Sequence, residues 1–269
     1  MESNIMGRSV AEVLGEALDV ENGSPLVIAP DSPTIEALVE VLNPDTPSVR
    51  LLADAETLKT VMENFLVAGR AAGHVEAGRL EVRSCHEGTN TLVLTERSVV
   101  AVVHAGGRVG GLTTDDVAFI EDARDRFESA WESAEPYTLR TPSLDRVRET
   151  LEADLGESTA GDFDAVLSAL DTGTEGGRNL DEVTISLLVA GKNEDLLYDI
   201  SKWGEDVGIA SKATFSRTKS RLEEAGLIDT EKVPIDVGRP RLRLKIADES
   251  LKGVDTEEFV NTARSMLDP

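Results

Sequence analysis

Three histidines and one cysteine are the side chains of this 269-residue chain best suited to nucleophilic or metal chemistry. Cys85 and His86 are adjacent, whereas His74 and His104 stand apart from them in the sequence. Neither an HxK nor an HExxH pattern is present, and one adjacent pair lacks the spacing of a metal-ligand set. The sequence therefore predicts no catalytic residue, no metal and no cofactor. An enzyme that uses Cys85 and His86 is kept as an alternative.

A glycine-rich hexapeptide, GGRVGG at 106–111, invites comparison with loops that bind phosphate. It fits neither GxGxxG nor GxxxxGK[ST], and it follows an apolar strand without opening a helix at once. A hairpin turn is therefore the favoured interpretation.

Basic side chains are concentrated between Ser211 and Ile246, where nine Lys or Arg face five Asp or Glu and the local charge is +4. The whole chain has 27 basic and 51 acidic residues and a net charge of −24. A single basic region in so acidic a chain indicates a surface for a polyanion, because the rest of the molecule would repel one.

The elements that must position these cations are readable from periodicity and caps. Helices are predicted over Leu180–Ala190, Leu196–Gly208 and Lys212–Ala225, with Ser211 as the cap of the third. Residues 227–235 and 241–246 then form a two-stranded ribbon around the turn residues DVGRP. Three helices followed by a hairpin are the order of a winged helix-turn-helix, whose third helix enters the major groove of DNA.

Helical and strand periods divide the basic region into a packed side and an exposed side. The predicted inward residues are Phe215, Thr218, Leu222 and Ala225 on the helix and Leu242, Leu244 and Ile246 on the ribbon. Ala213, Ser216, Arg217 and Ser220 are predicted to point outward. Lys219 borders the inward face, so we expect its stem to be partly buried and exclude it from the site. The predicted DNA-binding residues are Ser211, Lys212, Thr214, Ser216, Arg217, Ser220, Arg221, Arg239, Arg241, Arg243 and Lys245.

The first half of the chain alternates short apolar runs with amphipathic segments from Ser24 onward, which predicts a parallel sheet covered by helices. Further strands after Gly78 predict antiparallel hairpins at the end of that sheet. A helix then places Val117, Ile120, Ala123, Phe127 and Trp131 at helical spacing. The predicted fold class is an α/β N-terminal domain followed by a C-terminal winged helix-turn-helix domain.

Four regions are predicted from these signals. They are an α/β effector or regulatory domain at 1–137, a helical linker at 138–178, the winged helix-turn-helix at 179–247, and a C-terminal helix at 248–269. That last helix either covers the domain core or pairs with its copy in a homodimer. Regulators of this kind generally need two readers spaced about one DNA turn apart, so we expect a homodimer.

Two resemblances extend this interpretation. SKATFSRTKSRLEEAGLI with GRPRLRLKI resembles the recognition helix and wing of prokaryotic winged-helix transcription regulators, which commonly have leucine where this chain has Lys219. SVVAVVHAGGRVGGLTTDDVAFIEDARDRFESAWESAEPY resembles the end of the effector-binding domain of TrmB-type archaeal regulators. With the DNA reader last and the opening MESNIMGRSVAEVLGEALD, the chain is similar to the TbsP-like regulators of halophilic archaea.

The resemblance implies a transcription factor for genes of sugar or central carbon metabolism, with an N-terminal domain that responds to a sugar or another metabolite. The expected partners are double-stranded promoter DNA, a second copy of the chain and that effector. The alternative is an adaptor whose winged helix contacts proteins instead of DNA. One cysteine and no long apolar run favour a cytoplasmic protein without membrane contact. The acidic composition fits a salt-rich cytoplasm, where counterion release yields less affinity for DNA.

Overall fold

The computed structural model describes residues 4–19, 23–85, 90–172, 180–234 and 240–267. They form two compact units, Met1–Leu139 and Arg140–Pro269, and each is described by itself. Within the described ranges, no helix has both the length and the apolar character needed to cross a bilayer.

An eight-stranded mixed sheet is the centre of the first unit. Its strands, in chain order, are β1 (Ile5–Gly7), β2 (Leu26–Ile28), β3 (Val49–Ala53), β4 (Leu80–Ser84), β5 (Leu92–Leu94), β6 (Val99–Ala105), β7 (Arg108–Thr114) and β8 (Glu135–Pro136). The spatial order is β1-β7-β6-β5-β2-β3-β4-β8. Only β2, β3 and β4 pair in parallel, and the other pairs are antiparallel. The predicted α/β class, with hairpins completing a parallel core, is confirmed.

Helices cover both faces of this sheet. They are α1 (Val10–Ala17), α2 (Ser32–Val41), α3 (Ala55–Met62), α4 (Phe65–Glu76) and α5 (Val117–Ser133). Because side chains alternate along a strand, β2 sends Val27 into the core beneath α1 to α4 and its neighbours Leu26 and Ile28 into the core beneath α5. Two separate apolar cores, one on each face, therefore hold the sheet in place.

One residue of α5 connects it to two strands. The ring of Trp131 is 6% exposed, and the guanidinium carbons of Arg50 on β3 and Arg83 on β4 lie 5.4 and 4.7 Å from its centroid. Arg83 also donates to the backbone oxygen of Trp131 at 2.9 Å. Ile120 and Phe127 are buried as their spacing predicts, whereas Val117 at the first helical position is 68% exposed.

Two features of the first unit differ from the sequence-based elements. The segment 56–73, which reads as one helix, is divided between α3 and α4 because Asn64 caps a new helix by accepting from the backbone N–H of Leu66 at 3.1 Å. Strand β1 and helix α1 were not predicted, and β1, with three residues, is too short to show a period.

The glycine-rich hexapeptide forms the β6–β7 hairpin, as predicted. Gly106 and Gly107 have φ of 55° and 80°, and Ala105 pairs with Arg108 across them. These positive φ values suit glycine at the two central positions of a tight hairpin turn.

Six helices and a ribbon make up the second unit in the described ranges. They are α6 (Leu144–Leu155), α7 (Glu157–Thr172), α8 (Glu182–Lys192), α9 (Leu197–Val207), α10 (Lys212–Glu224), β9 (Ile228–Val233), β10 (Arg241–Ile246) and α11 (Thr256–Leu267), with a 3₁₀ turn at Glu249–Leu251. Strands β9 and β10 are antiparallel. The three predicted helices and the ribbon are confirmed, with ends shifted by two residues or fewer for the helices.

Helices α6 and α7, which occupy the predicted linker segment 138–178, are packed into the core of this unit. The ring of Phe163 on α7 meets Trp203 on α9 edge to face at 6.4 Å. The Nε1–H of Trp203 donates to Oγ1 of Thr150 on α6 at 3.0 Å. Both aromatic residues are 1% exposed. Helices α8 to α10 therefore share their core with the segment that precedes them.

The C-terminal helix α11 also packs inside the unit. Phe259, Val260 and Ala263 are buried, and α11 contacts α7. Its apolar side is therefore occupied within the same chain, which agrees with the core-covering alternative for this helix.

Candidate nucleic-acid interface

The turn between α9 and α10 is defined by a glycine and a serine. Gly208 ends α9 in the left-handed region with φ of 95°, where a side chain would be strained. Three residues later, Ser211 caps α10 by accepting from the backbone N–H of Thr214 at 3.2 Å. The short turn fixes the direction in which α10 leaves α9.

Close packing of the two helices depends on Gly204. A Cβ atom at this position would lie 2.3 Å from Cζ of Phe215 and 2.4 Å from Cε2. Phe215 and Leu222 are fully buried, so the inner side of α10 is held firmly against α8 and α9. Gly226 follows α10 with φ of 75°, and the chain then enters β9.

The outer side of α10 is small and polar around one arginine. Ala213, Ser216, Arg217 and Ser220 are all exposed, as their spacing predicts. Arg217 donates from Nη2 to Oγ1 of Thr214 at 3.4 Å and forms no ion pair with any residue that the structure describes. The guanidinium at the middle of the outer face is thus available to a ligand.

The predicted site cations around Arg217 are mostly paired with carboxylates. Four of them, which we call the paired cations, have N to O distances of 2.5–3.4 Å to a group that we call the acidic partners. The pairs are Lys212–Glu205 at 2.9 Å, Arg221–Asp181 at 3.1 Å, Arg241–Asp199 at 3.4 Å and Lys245–Glu231 at 2.5 Å. Three of the four acidic partners belong to α9 or to the cap of α8, and Glu231 lies on β9.

These pairs lie at the surface and leave the cations charged. Side-chain exposure of the paired cations runs from 38% for Arg241 to 56% for Arg221. The hydrogen bond from Lys212 lowers the pKa of Glu205, and the same bond raises the pKa of Lys212. The hydrogen bond between Lys245 and Glu231 likewise lowers the pKa of Glu231 and raises the pKa of Lys245. Exposed pairs of this kind are worth only about 0–1 kcal/mol, so a phosphate can displace the carboxylate.

The ribbon cations lie close to the start of α9. The guanidinium carbon of Arg241 is 4.4 Å from the ring centroid of Tyr198, which is 46% exposed. Arg243 is partly buried, and its backbone forms an isolated antiparallel β-bridge with Leu196. The side-chain Nε of Arg243 has no hydrogen-bond partner among the described residues. On the opposite side of the strand, Leu244 and Ile246 are buried as predicted. Arg239 lies outside the described residues.

Lys219 has the partly buried stem that its position predicts. Its side chain is 13% exposed, and Nζ lies 2.7 Å from Oε2 of Glu223 one turn further along α10. Glu223 in turn accepts from Oγ1 of Thr230 on β9 at 3.0 Å. The pair connects the helix to the ribbon and takes Lys219 out of the outer face.

Tyr198 and the acidic partners are the residues that sequence reasoning missed. No periodic signal marks them, because their roles depend on which cation the folded chain brings near. Glu205 and Lys212 are seven residues apart across a turn, and Asp199 and Arg241 lie 42 residues apart.

Among the described residues of the first unit, surface cavities lie beside α5. One, of about 180 Å³, is lined by Gly23, Ser24, Pro25, Arg50, Leu94, Thr95, Glu96, Arg124 and Glu128. Arg50 makes two hydrogen bonds of 2.7 Å to Glu128, and these lower the pKa of that carboxyl. The other, of about 410 Å³, lies beside Cys85 and Arg126. His86 is outside the described residues, and the described part of the chain contains no cluster of His, Cys, Asp or Glu suited to a metal.

The arrangement of α8, α9, α10 and the β9–β10 ribbon is that of a winged helix-turn-helix domain, a class that binds DNA. Two family models match the chain. One, described as Transcriptional regulator TbsP-like, N-terminal, covers residues 2–142. The other, described as Transcriptional regulator TbsP-like, C-terminal HTH domain, covers residues 143–264. The chain belongs to the TbsP-like transcriptional regulators, which confirms the resemblance seen in the sequence, and it is a regulator and not an enzyme.

Other comparisons add little to this assignment. Among solved structures, the chain is similar to TrmBL2, described as an archaeal chromatin protein whose structure shows a novel mode of DNA binding. The identity is 14%, the TM-score is 0.37, and the match covers 50% of this chain and 53% of that one. The chain thus spans about half the length of that protein. No curated protein sequence matches the chain.

Proposed function

We propose that this regulator binds double-stranded promoter DNA in a sequence-specific manner, with α10 in the major groove and the ribbon on the phosphates. The observation that carries the proposal is the outer face of α10, where small polar residues surround the unpaired Arg217. A helix with small outward side chains can approach the base edges closely, and an arginine at its middle can bond guanine through two donors.

The predicted site residues take two kinds of role in this proposal. Arg217, Ser216 and Ser220 point away from the packed side of α10 and read base edges. The remaining members of the predicted set position the domain on phosphates, and they are Ser211, Lys212, Thr214, Arg221, Arg239, Arg241, Arg243 and Lys245. Ser211 and Thr214 lie at the N-terminus of α10, where backbone N–H groups favour an anion.

We also propose that the protein acts as a homodimer. Two recognition helices spaced about one DNA turn apart bind a symmetric operator, and a single domain of this size covers only one half-site. A monomer on a single half-site in solution, measured by light scattering of the protein–DNA complex, would contradict this.

The first unit is proposed to sense a sugar or another small metabolite of central carbon metabolism, in a cytoplasm of the salt-rich kind found in halophilic archaea. The cavity of about 180 Å³ at the end of β5, which residues before β2 and residues of β3 and α5 also line, supports this role. Its lining has two arginines, two glutamates and the hydroxyls of Ser24 and Thr95. The charges balance, and donors and acceptors are both present, which suits a polyhydroxylated ligand. The single cysteine agrees with a cytoplasmic location.

The experiment that tests DNA reading compares Arg217→Ala with Arg243→Ala. Operators would first be mapped by chromatin immunoprecipitation with sequencing, and binding would then be measured by mobility shift on the operator and on shuffled duplexes. Arg217→Ala should reduce operator preference by about 1–3 kcal/mol, and Arg243→Ala should weaken all duplexes alike.

Arg108→Ala is the control for that experiment, because Arg108 is an exposed arginine on the β6–β7 hairpin of the first unit and its loss removes the same charge. Equal behaviour of the Arg217 and Arg108 variants on all duplexes would overturn the proposed role of α10.

A further inference from the structure

Most of the described cations on the proposed DNA-binding side of the second unit are already paired with carboxylates. Each of the four paired cations has an acidic partner within 3.4 Å, so those four contribute no net charge. Of the predicted site cations that the structure describes, Arg217 and Arg243 form no ion pair with a described residue. A duplex that approaches this surface therefore meets cations that already have anionic partners.

We propose that the acidic partners compete with DNA phosphates for the paired cations, and that they set both the affinity and the salt dependence of DNA binding. This inference rests on the proposed DNA-binding function of the second unit. It assigns a role in DNA binding to negatively charged residues, which DNA phosphates would repel. Asp181, Asp199, Glu205 and Glu231 act through their cations and do not touch the duplex.

The physical basis is an exchange of partners. When a free lysine meets a phosphate, the DNA releases close to one counterion, and this release makes binding weaken steeply as salt rises. When the lysine first has to leave a carboxylate, that carboxylate returns to solvent and attracts cations again. The net release of ions is smaller, and affinity falls less steeply with salt than the number of phosphate contacts would require.

Glu205 offers the cleanest test among the acidic partners. Asp181 also caps α8, by accepting from the backbone N–H of Thr184 at 2.7 Å, so its replacement would perturb the helix. Glu205 is exposed on α9, with Oε2 2.9 Å from Nζ of Lys212 and Oε1 accepting weakly from the backbone N–H of Lys212 at 3.4 Å. Glutamine keeps the shape of this side chain and one oxygen acceptor, and it replaces the charged carboxylate by a neutral amide.

The matched control is Glu249→Gln. Glu249 lies on the 3₁₀ turn that follows β10, where the turn contacts α11, and it pairs with Lys252 at 2.7 Å. The two substitutions are chemically identical and change the net charge of the full chain by the same amount. They differ in whether the released lysine belongs to the proposed site.

The experiment measures binding of the full-length protein and both variants to a mixed-sequence duplex of about three helical turns by surface plasmon resonance, over about 0.05–0.2 M salt. Glu205→Gln should bind about two- to five-fold more tightly at the low-salt end, the range that one exposed ion pair is worth. Its plot of log affinity against log salt should be steeper than that of the wild type by up to about one unit. In the Lys212→Ala background, Glu205→Gln should give no gain.

Three outcomes would overturn the inference. Equal gains for Glu205→Gln and Glu249→Gln would show an effect of net charge alone. If the wild type binds DNA and Glu205→Gln has the same slope of log affinity against log salt, the acidic partners do not compete with phosphates. The proposed DNA-binding function would then still stand. Absence of binding by the wild type and by both variants at the lowest salt, on the mapped operator as well as on the mixed-sequence duplex, would remove the proposed function and the inference together.

Discussion

Phe215 on α10 packs so closely against Gly204 on α9 that its ring leaves no room for a side chain at residue 204. The phenyl ring occupies the space where a Cβ atom at residue 204 would be, at 2.3 Å. Because Phe215 is fully buried, it cannot move aside without opening the core. The angle between the two helices, and with it the presentation of Arg217, depends on this contact.

Replacing Gly204 by alanine should therefore destabilise the second unit by about 1–3 kcal/mol, or more, through overpacking. Thermal denaturation followed by circular dichroism would measure the loss. Gly161→Ala on α7 is the matched control, because a Cβ there meets no atom within 4 Å. That substitution should be neutral or stabilise by up to about 1 kcal/mol, since alanine favours helix. Equal effects of the two substitutions would mean that α9 and α10 do not pack as described.

Phe163→Ala should destabilise the second unit even though Phe163 precedes α8, α9 and α10 in the chain. The side chain is 1% exposed and meets Trp203, so its removal should cost about 3–5 kcal/mol. Hydrogen exchange of peptides from α8 to α10 would show the loss as reduced protection. Phe119, which is 54% exposed on α5, provides a control whose replacement by alanine should change stability by no more than about 0.5 kcal/mol. Full protection of these peptides in the Phe163 variant would show that the packing of α7 does not stabilise α8 to α10.

Tyr198 should assist DNA binding by holding Arg241. A cation over an exposed aromatic ring gains about 0.5–1 kcal/mol, which corresponds to a loss of about two- to five-fold in affinity if Tyr198→Ala lets the guanidinium move freely. Tyr198→Phe keeps the ring and should keep most of the affinity. Calorimetric titration with a duplex would distinguish the two. A loss in the phenylalanine variant equal to that in the alanine variant would assign the effect to the hydroxyl and not to the ring.

His74 should make the first unit less stable in mild acid. Burial lowers its pKa from the usual value of 6.5, and the ring is held neutral between two neighbours. Nδ1 accepts from Nε of Arg79 at 3.1 Å, which leaves the proton on Nε2 to donate to the backbone oxygen of Val39 at 3.0 Å. The unfolded chain takes up a proton at higher pH than the folded one does. The contribution of neutral His74 is thus complete above pH 6.5 and is lost as the pH falls from there towards the lowered pKa.

The measurement for His74 is the urea midpoint of the wild type and of His74→Gln, each at pH values of about 7.5 and about 5.5. Carboxylates that titrate in both proteins cancel in the comparison. The wild type should lose more stability than the variant between the two pH values. A parallel decline in both proteins would show that His74 does not contribute to the acid response.

The elements of the second unit could be predicted from the sequence because they depend on short-range signals. The cap at Ser211, the spacing of Phe215 and Leu222, and the alternation along β10 each fix which side of an element is buried. The outward position of Arg217 follows from the first two of these signals without any knowledge of the tertiary fold. The role of each residue in binding is still a prediction.

The pairing of the cations could not be predicted in the same way. Asp181 and Arg221 are 40 residues apart, and the pair exists only because α8 and α10 pack together. The placement of α6 and α7 had the same difficulty. Their helical periodicity is visible in the sequence, but the partner that buries Phe163 is Trp203, on another helix. Local pattern shows that a face is apolar and does not show what covers it.

The two tryptophans of the chain are divided between the units, with Trp131 on α5 in the first and Trp203 on α9 in the second. Replacing either one by phenylalanine leaves a single indole whose fluorescence comes from one unit alone. Trp131 lies against Arg50, a residue of the candidate effector cavity, and Trp203 lies on the helix that carries Glu205 and Tyr198. The intrinsic emission of this protein can therefore separate an event in the first unit from one in the second unit without any added dye.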